Sequence, residues 1–271
     1  GDMLGIIFWS ILFGFSITRL SGKPQEFFTN FFAYGFKAMM KLTQGIIALL
    51  PIGVFGLITT AVANSGIDVF KAVGKYIITI FLGLSFHFLV ILPLLFFIFT
   101  KISPLKHWKA MASAFATAFS TSSSGATLPV TIDCIENNVG VSNRTTSFVL
   151  PLGATINMDG TALYECAGVL FISQALGIDL SVSQQVVVVM TAFLASVGAA
   201  AVPSAGLVMI FIVLGAVGLG DHPGAGVIVG TMLAVDRPLD MYRTMVNVAS
   251  DSIGAVVVAK SEGESNLYPN N

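Results

Sequence analysis

Long apolar stretches separated by short polar or basic segments dominate the sequence. Residues 3–18, 44–67 and 76–100 are mostly apolar, and a helix needs about 20 such residues to cross a bilayer. The first stretch is slightly short, glycines and a proline interrupt the second, and a basic segment at 101–109 follows the third. This pattern predicts an all-α protein that is embedded in a membrane.

In the second half of the chain, the apolar segments are interrupted. Residues 110–132 have a serine-rich centre, and residues 181–220 carry no charge and are split by the small apolar turn 201–206. An exposed loop normally carries charge, so we interpret both segments as hairpins that enter the membrane and return. Each precedes a helix with polar interruptions, at 145–178 and 223–259. This order predicts an inverted repeat with its binding site near the bilayer midplane.

The composition supports a membrane protein. Hydrophobic residues make up 55% of the chain and charged residues 10%, with a mean hydropathy of +0.88, whereas a soluble domain carries about a quarter charged residues. The net charge of -1 gives no reason to expect a nucleic acid partner. Basic residues at 19–23 and 101–109 fall on one side of this topology, which we predict to be cytoplasmic. The chain opens on Gly1 close to an apolar segment, so we expect it to start partway along a longer protein.

Charged and amide side chains recur on one face of the last predicted helix. At helical spacing they fall within an arc of about 80°. Each charge at the centre of a bilayer costs about 2.5–3.5 kcal/mol, so we interpret the stripe as a binding site rather than as the solvated face of a surface helix. Its members are Asp236, Asp240, Arg243, Asn247 and Asp251.

The chemistry of the stripe suggests two kinds of ligand. Arg243 presents a planar fork of donors that suits a carboxylate, and Asp240 can accept from an ammonium group. Together they suit a zwitterion with an additional carboxylate, but an internal ion pair between them that only stabilises the helix stays open. Asn247 and Asp251 offer the oxygen ligands that hard cations prefer.

Other polar groups lie within apolar segments. Residues 157–161, with the sequence NMDGT, are predicted to break a helix and expose carbonyl oxygens beside Asp159; a kinked helix with this side chain in a water cavity is the alternative. Glu165 is a candidate proton carrier, unless it snorkels or faces solvent. Residues 122–124 offer hydroxyls to an anion or simply form a turn, and we interpret His87 as a packing or lipid-border residue.

Three motifs carry a resemblance to a known family. They are Ser122–Pro129 (SSSGATLP), Asn157–Tyr164 (NMDGTALY) and Asp240–Asn247 (DMYRTMVN). In this order and spacing they resemble the dicarboxylate/amino acid:cation symporter family, which includes animal excitatory amino acid transporters and archaeal aspartate transporters. The resemblance covers essentially the whole chain but only the later part of a family member. It implies an all-α integral membrane fold, an inverted-repeat transporter with two re-entrant helical hairpins and broken transmembrane helices.

The resemblance also implies a domain organisation. Residues 1–66 are expected to be N-terminally truncated scaffold helices of a homotrimer, residues 67–260 the transport domain and residues 261–271 a tail. The resemblance implies a multi-pass protein of the cell membrane with an elevator-like mechanism. The second hairpin, at about 181–220, is the expected extracellular gate. The expected elements of the transport domain are helix 67–101, hairpin 1 at about 109–140, broken helix 145–178, hairpin 2 at about 181–220 and polar helix 223–259.

The function that the resemblance implies is sodium-driven symport of glutamate or aspartate, without an organic cofactor. Neutral amino acid relatives lack an arginine at the position of Arg243, so an acidic substrate is expected. The implied substrate-binding residues are Ser123, Ser124, Thr161, Val202, Gly206, Asp240, Arg243, Thr244 and Asn247. The implied sodium ligands are Gly153, Thr155, Asn157, Asp159, Ser196, Asn247 and Asp251, with further family ligands expected outside this chain.

Several positions depart from one or another branch of the family. Ser122 stands where archaeal members carry an arginine, as in animal members, and Met241 stands where animal members carry one. We hypothesise that Arg237, one turn earlier, replaces it. Glu165 matches the proton-coupled animal members, whereas sodium-only archaeal members have glutamine. We therefore predict proton coupling, and potassium counter-transport stays open.

Alternative functions remain at this level. A C4-dicarboxylate carrier or a proton-only symporter of the same family would use a similar chain, and the chain could be a fragment that does not transport. An intramembrane serine protease using Ser124 is disfavoured, because no His or Lys base stands at a plausible depth near this serine. Asp236 has no assigned role.

Overall fold

The computed structural model describes residues 3–49, 68–199 and 205–269, together with isolated positions between 52 and 63. Every regular element within these residues is a helix. The chain divides into two compact units, Gly1–Gly66 and Ile67–Asn271. The described part of the chain therefore confirms the all-α prediction.

The first unit contains helices α1, Met3–Thr18, and α2, Lys23–Ala48. They pack through aromatic rings, since the ring of Phe13 meets those of Phe28 and Phe32 edge-on at centroid distances of 6.0 Å. Large apolar side chains on both helices are exposed. Such a surface is stable against lipid or apolar neighbours but not against water.

The second unit contains ten further α-helices in its described part. In chain order they are α3 Asp68–Phe86, α4 Leu92–Thr100, α5 Pro104–Thr121, α6 Ser124–Asp133, α7 Asn143–Ile156, α8 Asp159–Ala175, α9 Val182–Gly198, α10 Ala205–Ala216, α11 Pro223–Leu233 and α12 Asp236–Ser261. A π-helical turn, His87–Ile91, joins α3 to α4, and a second, Cys134–Val139, follows α6. Among the described helices, only the continuous stretch Val73–Thr100 is long and apolar enough to cross a membrane.

The second unit buries several charged side chains and exposes many large apolar ones. Helix α12 packs against α3 to α8 and α11, and its charged residues Asp240 and Arg243 are each only 2% exposed. On α3, by contrast, Phe81 and Leu82 are 54% and 60% exposed. Because buried charge is costly without partners, this centre must be organised by specific polar contacts.

Two pairs of helices fold back on each other. Helix α5 ends at Thr121, Ser122 turns the chain with φ 52°, and the hydroxyl of Ser123 accepts a hydrogen bond from the amide of Ala126, so that α6 returns along α5. Helices α9 and α10 also pack against each other. The residues that join the second pair, 200–204, lie outside the described part of the chain.

The helix break predicted near Asn157 is confirmed. Helix α7 ends at Ile156, α8 begins at Asp159, and the two residues between them have non-helical backbone angles. The expected single helix 223–259 is also divided, into α11 and α12, by Ala234 and Val235. Pro238 lies in the first turn of α12, where its missing amide hydrogen costs no helical hydrogen bond.

The tail folds back against the other helices of the second unit. The carboxylate of Glu264 accepts hydrogen bonds from the amide and hydroxyl of Ser142, at 2.8 and 2.7 Å, and from the hydroxyl of Thr145 at 2.7 Å. These residues begin α7, where a negative charge is favoured by the helix dipole. Lys260 similarly donates to the carbonyl of Thr100, the last residue of α4. The tail and the end of α12 therefore hold the termini of two other helices.

The acid stability of the protein should depend on Glu264. Burial disfavours its charged form, but the hydrogen bonds from Ser142 and Thr145 outweigh burial and lower the pKa of this carboxyl from its ordinary value. Since the folded state has the lower pKa, these bonds stabilise the fold above the unfolded pKa, and their contribution is lost as the pH falls through the folded pKa. We expect Glu264→Gln to lower stability at neutral pH by at most about 1 kcal/mol, because the group is partly solvated.

Thermal melts between about pH 7 and pH 3 test this expectation. The difference between the wild type and Glu264→Gln should shrink as the pH falls. Glu262→Gln, at an exposed neighbouring position, is the matched control and should change little. A difference for Glu264→Gln that is constant over this range would contradict the assignment.

Candidate functional site

A carboxylate–guanidinium cluster, comprising Asp236, Asp240 and Arg243, lies at the start of α12. Arg243 donates through Nη2 to Oδ1 of Asp240 at 2.7 Å and through Nη1 to Oδ1 of Asp236 at 3.3 Å. All three side chains are buried. The internal ion pair that the sequence left open is therefore present, and Asp236 is a second partner. Arg237 also faces Asp240, with Nη1 4.0 Å from Oδ2, so the two carboxylates are matched by one buried and one exposed guanidinium group.

The guanidinium of Arg243 lies close to residues of two other helices, α8 and α10. Its Cζ lies 4.2 Å from the ring centroid of Tyr164 on α8, a cation–π geometry. A Cβ atom at Gly206 on α10 would lie 3.2 Å from this Cζ and 3.0 Å from Cγ2 of Thr161. Glycine therefore allows α10 to approach the cluster closely. Tyr164 was not among the predicted site residues, although it closes the NMDGTALY motif.

A second group of residues, the helix-break cluster, lies between α7 and α12. Its members are Gly153, Asn157, Ser250 and Asp251. The side-chain amide of Asn157 donates to Oδ1 of Asp251 at 2.9 Å and to the hydroxyl of Ser250 at 2.8 Å. A Cβ atom at Gly153 would lie only 2.7 Å from the same Oδ1 of Asp251. The structure thus brings together three of the predicted sodium ligands, all of them offering oxygen atoms.

Asp159 extends this cluster towards α3. Its Oδ1 accepts from the hydroxyl of Ser250 at 2.8 Å, and its Oδ2 lies 2.6 Å from Nε2 of His87. The interpretation of His87 as a packing or lipid-border residue is therefore wrong. Sequence reasoning missed both partners of Asp159; an ionisable residue in an apolar span was the available signal for the histidine.

Asn247 connects the helix-break cluster to the carboxylate–guanidinium cluster. Its Oδ1 accepts from the amide of Gly160 at 2.8 Å, and its Nδ2 donates to the hydroxyl of Thr161 at 3.1 Å. Thr244, one turn earlier on α12, is buried as well. The dual role of Asn247, towards both substrate and cation, stays a prediction.

The hydroxyls of two predicted sodium ligands bond within their own helices. Thr155 is exposed and donates to the carbonyl of Leu152 at 2.9 Å, and Ser196 donates to that of Phe193 at 2.9 Å. Val202 lies outside the described residues. Among the described residues, no three His, Cys, Asp or Glu side chains are grouped so that they could hold one metal ion.

The structure supports a turn role for residues 122–124. Their role in binding an anion stays a prediction. Ser123 caps α6, and Ser124 is the buried first residue of that helix, which packs against α12. The hydroxyl of Ser122 is buried and has no hydrogen-bond partner within the described part of the chain. Arg237 is 53% exposed, with Nη1 4.0 Å from Oδ2 of Asp240, and its proposed replacement of the missing arginine stays a prediction.

Glu165 lies in the interior of α8. It is 0% exposed, and neither carboxyl oxygen has a hydrogen-bond partner among the residues that the structure describes. The alternative of a snorkelling or solvent-facing acid is therefore wrong. A buried carboxyl without a partner is far less costly neutral than charged, which is the property that a proton carrier needs.

A largely apolar exterior around buried charges at a helix break is the arrangement of a membrane transporter. The comparisons with known proteins agree. The sequence model of the sodium:dicarboxylate symporter family matches residues 1–261, and the chain belongs to this family. The expected family resemblance is confirmed, and the serine protease alternative is wrong, because the family consists of transporters rather than enzymes.

Proteins similar in sequence to this chain include excitatory amino acid transporters. The chain is 44% identical over 259 residues to the excitatory amino acid transporter of Caenorhabditis elegans, covering 95% of this chain and 50% of that protein. It is 45% identical over 260 residues to excitatory amino acid transporter 3 of Mus musculus, covering 96% and 49%, and 44% identical over 260 residues to that of Homo sapiens, covering 96% and 48%. The chain thus spans about half the length of the curated relatives it matches.

Proposed function

We propose that this chain carries the transport unit of a sodium-driven symporter of acidic amino acids, with glutamate or aspartate as substrate. The observation that carries the proposal is Arg243, buried between two carboxylates and directly beside the broken helix. An ionisable residue inside a membrane protein is costly to bury, and by default it indicates a functional site. The family and its named relatives support the same class of cargo.

In this proposal, the carboxylate–guanidinium cluster binds the substrate. The fork of Arg243 binds the side-chain carboxylate bidentately, and Asp240 accepts from the ammonium group. The close approach of Gly206 to Arg243 supports the position of the pocket. The remaining proposed members are Ser123, Ser124, Thr161, Val202, Thr244 and Asn247.

The helix-break cluster is proposed to bind sodium. Asp251 and Asn247, with the backbone of Gly153 and Asn157, form one set, and their proximity supports it. Asp159 and Asn157 contribute to a second set. A third would use Thr155, Ser196 and the backbone of hairpin 2; both hydroxyls donate their hydrogen within their own helices, which leaves their oxygen lone pairs for a cation.

The mechanism is proposed to be an elevator-type movement of residues 67–260 against a homotrimeric scaffold formed by residues 1–66. The order of elements supports an inverted repeat. The pair α5–α6 precedes the broken segment α7–α8, and the pair α9–α10 precedes the divided segment α11–α12. In this arrangement both pairs are re-entrant hairpins of a multi-pass protein in the plasma or inner membrane.

Proton coupling is proposed to act through Glu165. Glu165→Gln keeps the shape of the side chain but cannot exchange a proton, so uptake by this variant should lose its dependence on a pH gradient and change its response to internal potassium. Initial uptake rates at several pH values, with and without internal potassium, measure this. A variant that keeps the wild-type pH and potassium dependence would refute the role.

The main test is binding and uptake by the purified protein. We expect aspartate and glutamate to bind in sodium but not in an equal concentration of choline, and succinate to compete poorly. After reconstitution into liposomes, uptake should require an inward sodium gradient at equal pH. Equal competition by succinate would favour a C4-dicarboxylate carrier, and uptake driven by a pH gradient alone would favour a proton-only symporter.

A fragment that binds but does not transport is the second candidate. It is favoured by one observation, that the chain spans about half the length of its curated relatives. Sodium-dependent aspartate binding without uptake into liposomes would support it. The same assays on a longer protein that contains this sequence would then show whether additional residues enable transport.

A further inference from the structure

The tail residue Tyr268 is held in place by both its backbone and its side chain. It is 4% exposed and has φ 58°, a left-handed conformation that residues other than glycine seldom adopt. Its amide donates to the carbonyl of Val139 at 2.6 Å, and its hydroxyl lies 2.7 Å from Nδ1 of His107. A backbone outlier of this kind persists where its surroundings determine it.

The tail also passes closely over the turn that precedes α7. A Cβ atom at Gly140, which itself has φ +87°, would lie 2.9 Å from the carbonyl oxygen of Asn266. The chain at this turn therefore leaves room for the tail and for nothing larger than glycine. This contact is independent of the hydrogen bonds of Tyr268.

A directed hydrogen-bond chain runs from Tyr268 to α12. The hydroxyl of Ser252 donates to the carbonyl of Ala249 at 2.7 Å, so it accepts from Nε2 of His107 at 2.9 Å. With its hydrogen on Nε2, the imidazole accepts at Nδ1 from the hydroxyl of Tyr268. One neutral tautomer of the fully buried His107 satisfies every bond in the chain.

This hydrogen-bond chain ends at the turn of α12 that carries the candidate cation ligands. Ser252 follows Asp251 directly, and Ser250 and Asp251 are the two residues that Asn157 contacts across the helix break. Ser252 and Asp251 are neighbours in one helical turn. The hydrogen bond that holds Ser252 therefore also restrains the backbone from which the carboxylate of Asp251 extends.

We propose that Tyr268 and His107 are positioning residues, which hold this turn of α12 so that Asp251 meets the helix break in the geometry that sodium requires. The proposal rests on the proposed sodium-coupled function and assigns to the tail a part in it. Neither residue touches the substrate or the cation; both act through Ser252.

The test compares Tyr268→Phe, Ser252→Ala and the double variant with the wild type. Tyr268→Phe keeps the ring and removes only the hydroxyl, and Tyr34→Phe, at a position 63% exposed on α2, is the matched control. For each protein, aspartate binding is titrated with sodium, and aspartate affinity is measured separately at saturating sodium. Thermal melting records any loss of stability.

Each single variant should raise the half-saturating sodium concentration roughly threefold to tenfold, the factor expected for one buried hydrogen bond. Aspartate affinity at saturating sodium should be unchanged. The double variant should shift sodium binding no further than the larger single effect, because both substitutions interrupt one chain. Tyr34→Phe should match the wild type.

Four results would overturn the proposal. The first is a lowered melting temperature of the variants with unchanged sodium dependence, which would make the hydrogen-bond chain purely structural. The second is a shift of the half-saturating sodium concentration in the double variant that equals the sum of the two single shifts. The third is a wild type whose aspartate binding ignores sodium, in which case the proposed function fails as well. A sodium-dependent wild type with unaffected variants would refute the positioning role alone.

Discussion

Arg243→Gln should abolish binding of acidic amino acids and destabilise the second unit by about 3–5 kcal/mol, the cost of removing one partner from a buried ion pair. The glutamine cannot neutralise Asp236 and Asp240, both of which are buried beside the guanidinium. It also cannot grip a carboxylate with a charged fork. Binding of labelled aspartate in sodium, together with thermal melting, measures both effects.

A second substitution separates binding from folding. Arg243→Lys keeps the positive charge between the carboxylates but loses the planar fork and the stacking on Tyr164. We expect it to retain most of the stability and to lose most of the affinity for glutamate and aspartate. Arg144→Gln, at an exposed position at the start of α7, removes an arginine elsewhere in the unit and should alter neither property.

These variants also decide between the two interpretations of Arg243. If the residue only stabilises its helix through Asp240, Arg243→Lys should bind aspartate as the wild type does. If it grips the substrate, the lysine variant should bind aspartate weakly while remaining folded. Wild-type affinity in the lysine variant would therefore exclude the proposed substrate role.

The sequence was informative where the candidate site residues lie within one helix. Asp236, Asp240 and Arg243 repeat at helical spacing, so their shared face followed from periodicity, and the structure joins them by ion pairs. The break near Asn157 was also predictable, because polar residues and glycine interrupt an apolar helix there. Both predictions depend on local geometry that a sequence encodes directly.

Contacts between distant segments could not be predicted in the same way. His87 and Asp159 are 72 residues apart, and His107 and Tyr268 are 161 apart, so neither pairing has a periodic signal. A histidine in an apolar helix can equally be packed or paired, and only its contact with Asp159 in the folded chain decides. The hydroxyl of Ser250 was overlooked for a related reason, since serine is common in helices without any role.

Gly160→Ala should disturb the junction of the two clusters more than its size suggests. Its Cβ atom would lie 2.8 Å from the carbonyl oxygen of Arg243 and 3.0 Å from Oδ1 of Asn247. The carbonyl belongs to the backbone of α12, so it cannot move aside without shifting the helix. Overpacking of this kind costs typically about 1–3 kcal/mol. Asn247 would lose its bond to the amide of residue 160, and we expect weaker binding of both aspartate and sodium.

Gly254→Ala on α12 is the matched control. A Cβ atom there would meet nothing within 4 Å, so alanine should be neutral or should stabilise the helix by up to about 1 kcal/mol. Alanine at position 160, in the first turn of α8, relieves less of the helix-propensity cost than alanine at 254, but it should not destabilise the helix by itself; a clear loss of stability there therefore points to the contact with α12. Thermal melts and sodium titrations of aspartate binding compare the two variants. Equal behaviour of Gly160→Ala and Gly254→Ala would show that α8 and α12 have room to separate, and the close contact would then have no role in the site.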